Sequence, residues 1–236
     1  MSNLVIGVEG EVASGKTSAC RELTKIIDNC IFIDGGAIYR GIILAIKKVG
    51  ISLENINLSN FDAIQVMKKL NVEFKIENNE TTIYIDGNKI EREEIETESN
   101  SISVTSIASK TDNSSIYIFA KKVIEMYKTK YNVVVSARGL VDLYPDMDYH
   151  IYITASLKER VKRRYNEYQG KYSIEEIEKN IIKRDKTHKL AGFNKKCDKT
   201  IEVDITDCKN AKDSAEKILQ KMEIKANGTI CKWKIK

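Results

Sequence analysis

The sequence predicts an α/β fold of three layers, with helices on both faces of a central parallel sheet. Four short apolar runs, at residues 4–8, 31–33, 133–135 and 151–153, show no alternation of polar and apolar side chains. Strands have this composition when both of their faces are buried, as in a parallel sheet between helices. Helical spacing of apolar residues between the first strands supports the same α/β class.

The first half of the predicted core can be followed element by element. After the strand at 4–8, a helix over 15–29 presents an apolar face formed by Ala19, Leu23, Ile26 and Ile27. These residues are three or four positions apart, which is the spacing of one helix face. The strand at 31–33 comes next, and a second helix is expected over 36–49.

An inserted β-hairpin is expected over 72–85. Residues 72–76 alternate apolar and polar side chains, the tip at 77–80 is polar, and residues 82–85 form the returning strand. This alternation predicts that one face of the hairpin meets solvent. Asp86, Gly87 and Asn88 then form a turn signal.

The second half adds two strands and a highly charged helical segment. That segment covers residues 157–184, with a break at Gln169 and Gly170, and a last amphipathic helix is expected over 211–224. A basic residue on such a helix usually faces solvent. Arg160 and Lys162 are therefore expected on the solvated face, and His188 is expected at the surface.

The composition excludes several classes of protein. With 42% hydrophobic and 31% charged residues, the 236-residue chain can build a folded core. No apolar run approaches the roughly 18–20 residues of a membrane helix, and the first residues do not resemble a secretion signal. Five irregularly spaced cysteines argue against a disulfide scaffold or structural zinc, and favour the reducing cytoplasm. The net charge is only +5, without a basic strip for nucleic acid.

The strongest functional signal is a glycine-rich motif directly after the first strand. It matches G-x-x-x-x-G-K-[ST] with Gly10, Glu11, Val12, Ala13, Ser14, Gly15, Lys16 and Thr17. Glycines let backbone N–H groups approach a phosphate, and the following helix points its positive end at the same anion. Lys16 can reach the β- and γ-phosphates, and Thr17 can ligate Mg²⁺. The motif predicts a nucleoside triphosphate site, with the Glu11 carboxylate pointing away from the phosphates.

Further motifs resemble the cytidylate kinases, which are nucleoside monophosphate kinases of the P-loop class. Residues 33–40 read I-D-G-G-A-I-Y-R, similar to the family pattern L-D-[TS]-G-A-[MI]-Y-R, and the hairpin is similar to the family's small β insertion. Other similar segments are 95–97, 104–108, 136–139, 144–146, 151–156, 161–165 and 183–185. The resemblance covers about residues 4–224.

The resemblance implies in-line transfer of the γ-phosphate from Mg²⁺-bound ATP to a nucleoside monophosphate. CMP or dCMP is the expected acceptor. The implied catalytic residues are Lys16, Arg138, Arg163, Arg164 and Arg184. The implied acceptor-binding residues are Asp34, Tyr39, Arg40, Thr105, Arg138 and Asp185, and Thr17 and Asp34 are implied for the metal. Arg40 and Arg138 both follow strand ends, where ligands of open α/β sheets bind.

The same resemblance implies one P-loop kinase domain over 1–236. Its core comprises residues 1–35, 111–156 and 193–224. An acceptor-binding subdomain is expected over about 36–110, a lid over about 157–192 and a tail over 225–236. The expected protein is a cytoplasmic monomer of pyrimidine nucleotide metabolism that binds small molecules, with neither a nucleic acid nor a membrane as partner.

Several acceptor-side positions differ from the family pattern. Gly35 replaces a Ser or Thr, Glu96 an Arg, and Gly139 the Asp that follows the arginine at 138. In the family's R-D-x-x-D-x-x-R segment, the second Asp and the last Arg correspond to His188 and Ala191. Two alternatives stay open: a kinase for another phosphorylated or small-molecule acceptor, and a catalytically weakened nucleotide-binding protein. A GTPase-type switch is disfavoured because no N-K-x-D motif follows a strand.

Overall fold

Eight strands form one sheet in the part of the chain that the computed structural model describes, residues 3–50, 63–95, 114–193 and 195–225. The strands are β1 (Val5–Gly10), β2 (Cys30–Asp34), β3 (Glu73–Glu77), β4 (Glu80–Ile85), β5 (Asn88–Lys89), β6 (Asn132–Ser136), β7 (Tyr149–Thr154) and β8 (Thr200–Asp204). The helices are α1 (Lys16–Ile26), α2 (Gly35–Lys48), α3 (Ala63–Lys69), α4 (Arg92–Ile95), α5 (Ser114–Lys128), α6 (Leu140–Leu143), α7 (Leu157–Glu167), α8 (Ile174–Leu190) and α9 (Ala211–Lys225).

The order of the strands places the end of β1 at a switch point of the sheet. The order is β3-β4-β2-β6-β1-β7-β8, with β5 beside β4. Every neighbouring pair from β2 to β8 is parallel, which confirms the predicted parallel sheet. The chain leaves β1 towards β2 on one side and later adds β7 and β8 on the other. Ligands of such sheets bind where the strand order reverses, at the carboxyl ends of the strands.

The sheet separates two hydrophobic cores, as the apolar strand runs predict. In β6, Val133 and Val135 belong to the core shared with α2 and α5. Val134, between them, belongs to the opposite core with α1 and α9. Because successive strand side chains point to opposite faces, a strand buried on both sides cannot alternate apolar and polar residues.

The predicted hairpin is confirmed and extends one edge of the sheet. β3 and β4 are antiparallel, and the tip residues Asn78 and Asn79 have φ angles of 50° and 62°, as a tight two-residue turn requires. The tip meets β2 through one parallel pair, Phe32 with Glu80. Ile83 on β4 packs with Ala37 of α2, so the hairpin buries one face and leaves the other half-exposed.

Strand β8 has no counterpart among the predicted elements. Its residues alternate, with Ile201 and Val203 buried and Glu202 exposed. The alternation arises because β8 lies at the end of the strand order, beside β7 alone. The charged helical segment is confirmed as α7 and α8, with left-handed φ angles at Gln169 and Gly170 in the break.

The predicted last helix is confirmed as α9. Among the helices of the described residues, none combines the length and apolar character needed to cross a bilayer.

Candidate active site

The glycine-rich loop joins the end of β1 to the start of α1, which is the context that its motif requires. At Gly10 the φ angle is 146°, and a Cβ atom would lie 2.1 Å from the carbonyl oxygen of Ile153, so only glycine fits. Gly15 has a φ angle of 95° and directly precedes Lys16, the first residue of the helix. Two glycines thus adopt backbone conformations that other residues rarely adopt, and the loop leads directly into the amino end of α1.

The Lys16 ammonium lies over this loop. Its Nζ donates hydrogen bonds to the carbonyl oxygens of Gly10 at 2.9 Å and Glu11 at 2.5 Å. Burial, together with the charges of Arg138 and Arg184, lowers the pKa of Lys16 to about 8. A phosphate anion beside Lys16 would favour its charged form, so the site is electrostatically prepared for an anion.

Three arginines from distant parts of the chain converge beside Lys16. Burial and the charges of Arg184 and Arg40 lower the pKa of Arg138 to about 10. Burial also lowers the pKa of Arg184, which is on α8. The Arg40 guanidinium folds back over the start of α2, since a Cβ atom at Gly36 would lie 3.4 Å from its Nη1. Cations that weaken one another's charged forms are typical of an anion-binding site. Lys16, Arg40, Arg138 and Arg184 are called the cation cluster below.

Asp34 lies at the carboxyl end of β2 beside the cation cluster. Its Oδ1 accepts a hydrogen bond from the backbone N–H of Ala37 at 3.1 Å and so caps α2. Its charge favours the protonated form of Arg138. The pKa of the Cys20 thiol, one turn beyond Lys16, is raised by burial and by Asp34, so this carboxylate is also close to α1. Asp34 therefore caps α2 and also acts electrostatically on the cation cluster.

Asp185 fastens helix α8 to the loop. Its Oδ1 accepts from the Val12 N–H at 3.0 Å, and its Oδ2 accepts from Nη1 of Arg160 at 2.6 Å. Arg160 also donates to the carbonyl oxygens of Val12 at 3.1 Å and Ala155 at 3.0 Å. The expectation that Arg160 faces solvent is wrong, because α7 packs this side chain against the loop. Lys162, two residues along α7, is exposed as expected.

Glu11 is held on the same side as Arg160. Its Oε2 accepts a hydrogen bond from the backbone N–H of Ala155 at 3.2 Å and lies 3.5 Å from the Nε of Arg160. The carboxylate is thus directed to the end of β7. Arg160 therefore pairs with two carboxylates, those of Glu11 and Asp185, and these ion pairs hold the loop against α7 and α8.

The two neighbouring arginines of α7 have different surroundings. Arg163 donates to the carbonyl oxygens of Ser14 at 2.9 Å and Ile205 at 2.8 Å, so it supports the loop from outside. Arg164 pairs with Glu167 at 2.8 Å, and its charge contributes to the lowered pKa of Arg184. Arg164 is therefore the α7 arginine with an electrostatic effect on the cation cluster, and the catalytic roles of both stay predictions.

Neutral polar side chains line the same region. His188, one turn after Arg184, is buried edge-on against Phe193, so the expected surface position is wrong. Burial and the charges of Arg138, Arg184 and Lys16 lower the pKa of His188 to about 3, which leaves the imidazole neutral near neutral pH. Tyr39 is buried with its ring 6.2 Å from that of Tyr117. Burial raises the pKa of both phenols, so they too stay neutral.

Two single residues named in the sequence analysis lie outside the described residues: Thr105, predicted to bind the acceptor, and Glu96, which differs from the family pattern. The similar segment 104–108 and the tail residues 226–236 also lie outside them. Thr17 is on the first turn of α1, directly after Lys16. Arg160, His188 and Tyr117 are the side chains that the sequence did not assign to the site.

Replacing Arg160 with methionine is expected to destabilise the protein by about 3 kcal/mol. The substitution leaves the half-buried Asp185 carboxylate of α8 without its cationic partner, and it also removes the hydrogen bonds to Val12 in the loop and to Ala155 after β7. Chemical denaturation measures the loss, and Lys162→Met on the same helix is the matched control with an expected change under about 0.5 kcal/mol. Equal stabilities of the two variants would contradict the role of Arg160.

A parallel sheet whose first strand leads into this loop, beside converging half-buried cations, defines the P-loop phosphotransferases. The family model described as cytidylate kinase matches residues 6–224. The cytidylate kinase of Clostridioides difficile is 30% identical over 230 residues, which cover 95% of this chain and 100% of the relative. A Borreliella burgdorferi cytidylate kinase is 29% identical, covering 94% and 98%.

The chain belongs to the cytidylate kinase family. Membership of a kinase family implies the use of ATP. Among solved structures, a shikimate kinase from Acinetobacter baumannii in complex with shikimate aligns over 97% of this chain and 96% of its own, with a TM-score of 0.42 and 13% identity. A likeness this distant carries no information about the acceptor.

Proposed function

We propose that this protein transfers the γ-phosphate of ATP to CMP or dCMP, giving ADP and CDP or dCDP. The convergence of Lys16 with Arg40, Arg138 and Arg184 is the observation that carries the proposal. Two polyanions repel each other, so their reaction needs a site with more positive charge than one phosphate requires. The cation cluster supplies that charge from four separate segments of the chain.

Each part of the cluster has a distinct task in the proposed reaction. The loop N–H groups and Lys16 hold the β- and γ-phosphates of ATP. Arg40 and Arg138 hold the acceptor phosphate, for which the planar guanidinium group offers paired donors. An oxygen of the acceptor phosphate then attacks the γ-phosphorus in line, and the bond to the ADP oxygen breaks. The attacking oxygen of the acceptor phosphate is already ionised, so no general base is needed. The protein contributes the positions of the reactants and the stabilising charge.

The residues near the loop also fit Mg²⁺. Thr17 offers a hydroxyl and Asp34 a carboxylate, both hard oxygen donors of the kind that Mg²⁺ prefers. Asp34 and Lys16, the neighbour of Thr17, both influence the pKa of the Cys20 thiol on α1, which supports a shared role of Thr17 and Asp34. Bound Mg²⁺ would neutralise charge on the β- and γ-phosphates.

We assign the lid, acceptor-binding and core roles to the segments predicted from the sequence. Residues 157–192 serve as the lid, since α7 and α8 bring Arg163, Arg164 and Arg184 to the loop and the cluster. Residues 36–110 serve the acceptor, and residues 1–35, 111–156 and 193–224 form the core, with a tail at 225–236. We place the protein in the cytoplasm as a monomer that acts on small molecules.

A kinase for another phosphorylated acceptor is the second candidate, and His188 is the observation in its favour. A neutral imidazole stands where the family pattern has a carboxylate, close to Arg138 and Arg184. The change at Gly35 is different in kind. A Cβ atom at position 35 would lie 2.5 Å from Cβ of Ala137, which is too close. The family pattern has a side chain at position 35 and glycine at position 137, and this chain has the reverse.

A kinase assay over a panel of nucleoside monophosphates with ATP and Mg²⁺ tests the proposal. We expect CMP and dCMP to be phosphorylated with the highest kcat/KM, and chromatography to show CDP and dCDP in amounts equal to ADP. Turnover of a different phosphorylated acceptor alone would favour the second candidate. ATP binding without phosphorylation of any acceptor would indicate a weakened nucleotide-binding protein.

A further inference from the structure

A buried carboxylate lies between the nucleotide loop and the segment that carries Arg138. Glu9, the last residue before Gly10, is only 2% exposed. Its Oε1 accepts a hydrogen bond from the backbone N–H of Gly139 at 2.8 Å, and its Oε2 accepts one from Leu140 at 3.2 Å. Both donors directly follow Arg138 in the chain. Glu9 thus fixes the backbone next to the arginine from a strand that is distant in sequence.

This bond pair replaces a local helix cap. Gly139 is the N-cap of α6, with a φ angle of 67°, and glycine has no side chain to satisfy the first N–H groups of the helix. The carboxylate of Glu9, on β1, accepts hydrogen bonds from the Gly139 and Leu140 N–H groups instead. A negative group at this helix end is electrostatically favourable. The conformation at 138–140 therefore depends on the position of Glu9.

His150 holds Glu9 in turn. Its Nε2 lies 3.0 Å from Oε2 of Glu9, and its Nδ1 lies 2.9 Å from Oγ1 of Thr200. With the carboxylate oxygen as the acceptor, Nε2 is the ring nitrogen that donates in this contact. Nδ1 then accepts the Thr200 hydroxyl hydrogen, while Oγ1 accepts from the Cys197 N–H at 2.8 Å. The chain of bonds links β1, β7 and β8 inside the sheet.

The cost of this arrangement indicates a purpose beyond packing. A buried carboxylate loses most of its solvation, and an apolar residue would fill the same space in a strand without that penalty. What an apolar residue cannot do is accept the two N–H groups beside Arg138. Although Glu9 directly precedes Gly10, its carboxylate is bonded to the segment that follows Arg138 and to His150.

We propose that Glu9, oriented by His150, is a positioning residue that sets Arg138 against the acceptor phosphate. The inference rests on the acceptor role given to Arg138 in the proposed function. Glu9 touches neither substrate in this proposal. It acts through the Gly139 and Leu140 amides, and the effect on ATP binding is small because the loop amides do not depend on it.

The test is the variant Glu9→Gln, which keeps the side-chain shape but turns one acceptor oxygen into a donor. We expect kcat/KM for CMP to fall about tenfold to a hundredfold, as for a lost charged hydrogen bond, with the KM for ATP within about threefold. Amide hydrogen exchange in the free protein should show lost protection at Gly139 and Leu140, a change that does not depend on activity. Thr200→Val, at the far end of the network, should show the same pattern more weakly.

Controls separate a positioning role from a structural one. Glu202→Gln, an exposed Glu-to-Gln change on β8, should leave all kinetic values unchanged. Non-additive losses in the double variant with Arg138→Ala would support the proposal. Equal losses for ATP and CMP, or unchanged exchange at Gly139, would overturn it, and Glu9→Asp serves if Glu9→Gln does not fold. If Arg138→Ala alone leaves CMP use intact, the proposed function of Arg138 fails instead.

Discussion

Replacing Lys16 with alanine is expected to lower kcat by about a thousandfold or more. A charge aimed at the transferred phosphate stabilises the transition state in a site shielded from water, and phosphoryl transfer depends almost wholly on such charges. The fold should survive, because burial already disfavours the charged form of Lys16 and lowers its pKa to about 8. A coupled assay measures turnover, and chemical denaturation should show a free energy of unfolding that is unchanged or slightly higher.

The matched control for this variant is Lys25→Ala on the same helix. Lys25 is exposed, and among the described residues its ion pair is with Glu22, three positions earlier on the helix. Its loss should change neither turnover nor stability by a measurable amount. If Lys16→Ala kept more than about a tenth of the activity, the loop would not be the donor site.

Replacing Arg138 with alanine is expected to lower kcat/KM for the acceptor by a factor of about 100 to 1000. Arg138 is half-buried beside Arg40 and Arg184, and a guanidinium that holds an acceptor phosphate also orients it for in-line attack. The KM for ATP should change by less than about threefold. The pKa of Lys16 should rise in this variant, because the charge of Arg138 is one of the causes that lower it.

Steady-state kinetics with each substrate varied in turn separate these effects. Arg40→Ala should show the same selective loss, since the proposed function assigns Arg40 to the acceptor phosphate and its charge acts on Arg138. Arg21→Ala is the control, because Arg21 pairs with Glu80 at the hairpin tip, outside the cation cluster. An equal loss for ATP and acceptor in Arg138→Ala would contradict its assignment to the acceptor.

Sequence alone was sufficient where a local pattern determines the structure. The apolar runs of β1, β2, β6 and β7 predicted a parallel sheet because burial on both faces removes polar residues. The alternating runs on either side of a polar tip predicted the hairpin. Strand β8 escaped notice because its alternating residues suit a sheet edge and form no continuous apolar run.

The parts of the site that were missed depend on contacts between distant residues. Arg160 and His188 lie on helices so rich in charge that their sequences do not show which face is buried. Arg160 is directed by the loop, 148 positions earlier in the chain, and His188 packs against Phe193 just beyond the end of its own helix. Glu9 and His150 are 141 positions apart in the sequence, and no local sequence pattern predicts a hydrogen bond between them. Gly10, in contrast, was identified from the motif alone.

The central place of β1 has a consequence for how the protein is made. Both strands that flank β1 come much later in the chain, at Asn132–Ser136 and Tyr149–Thr154. Pairings between segments so far apart form slowly, because the intervening chain must first lose its freedom. During synthesis on the ribosome, the motif at 10–17 emerges early but has no scaffold to shape it. A nascent or prematurely terminated chain therefore carries the nucleotide-binding sequence without the ability to sequester a nucleotide.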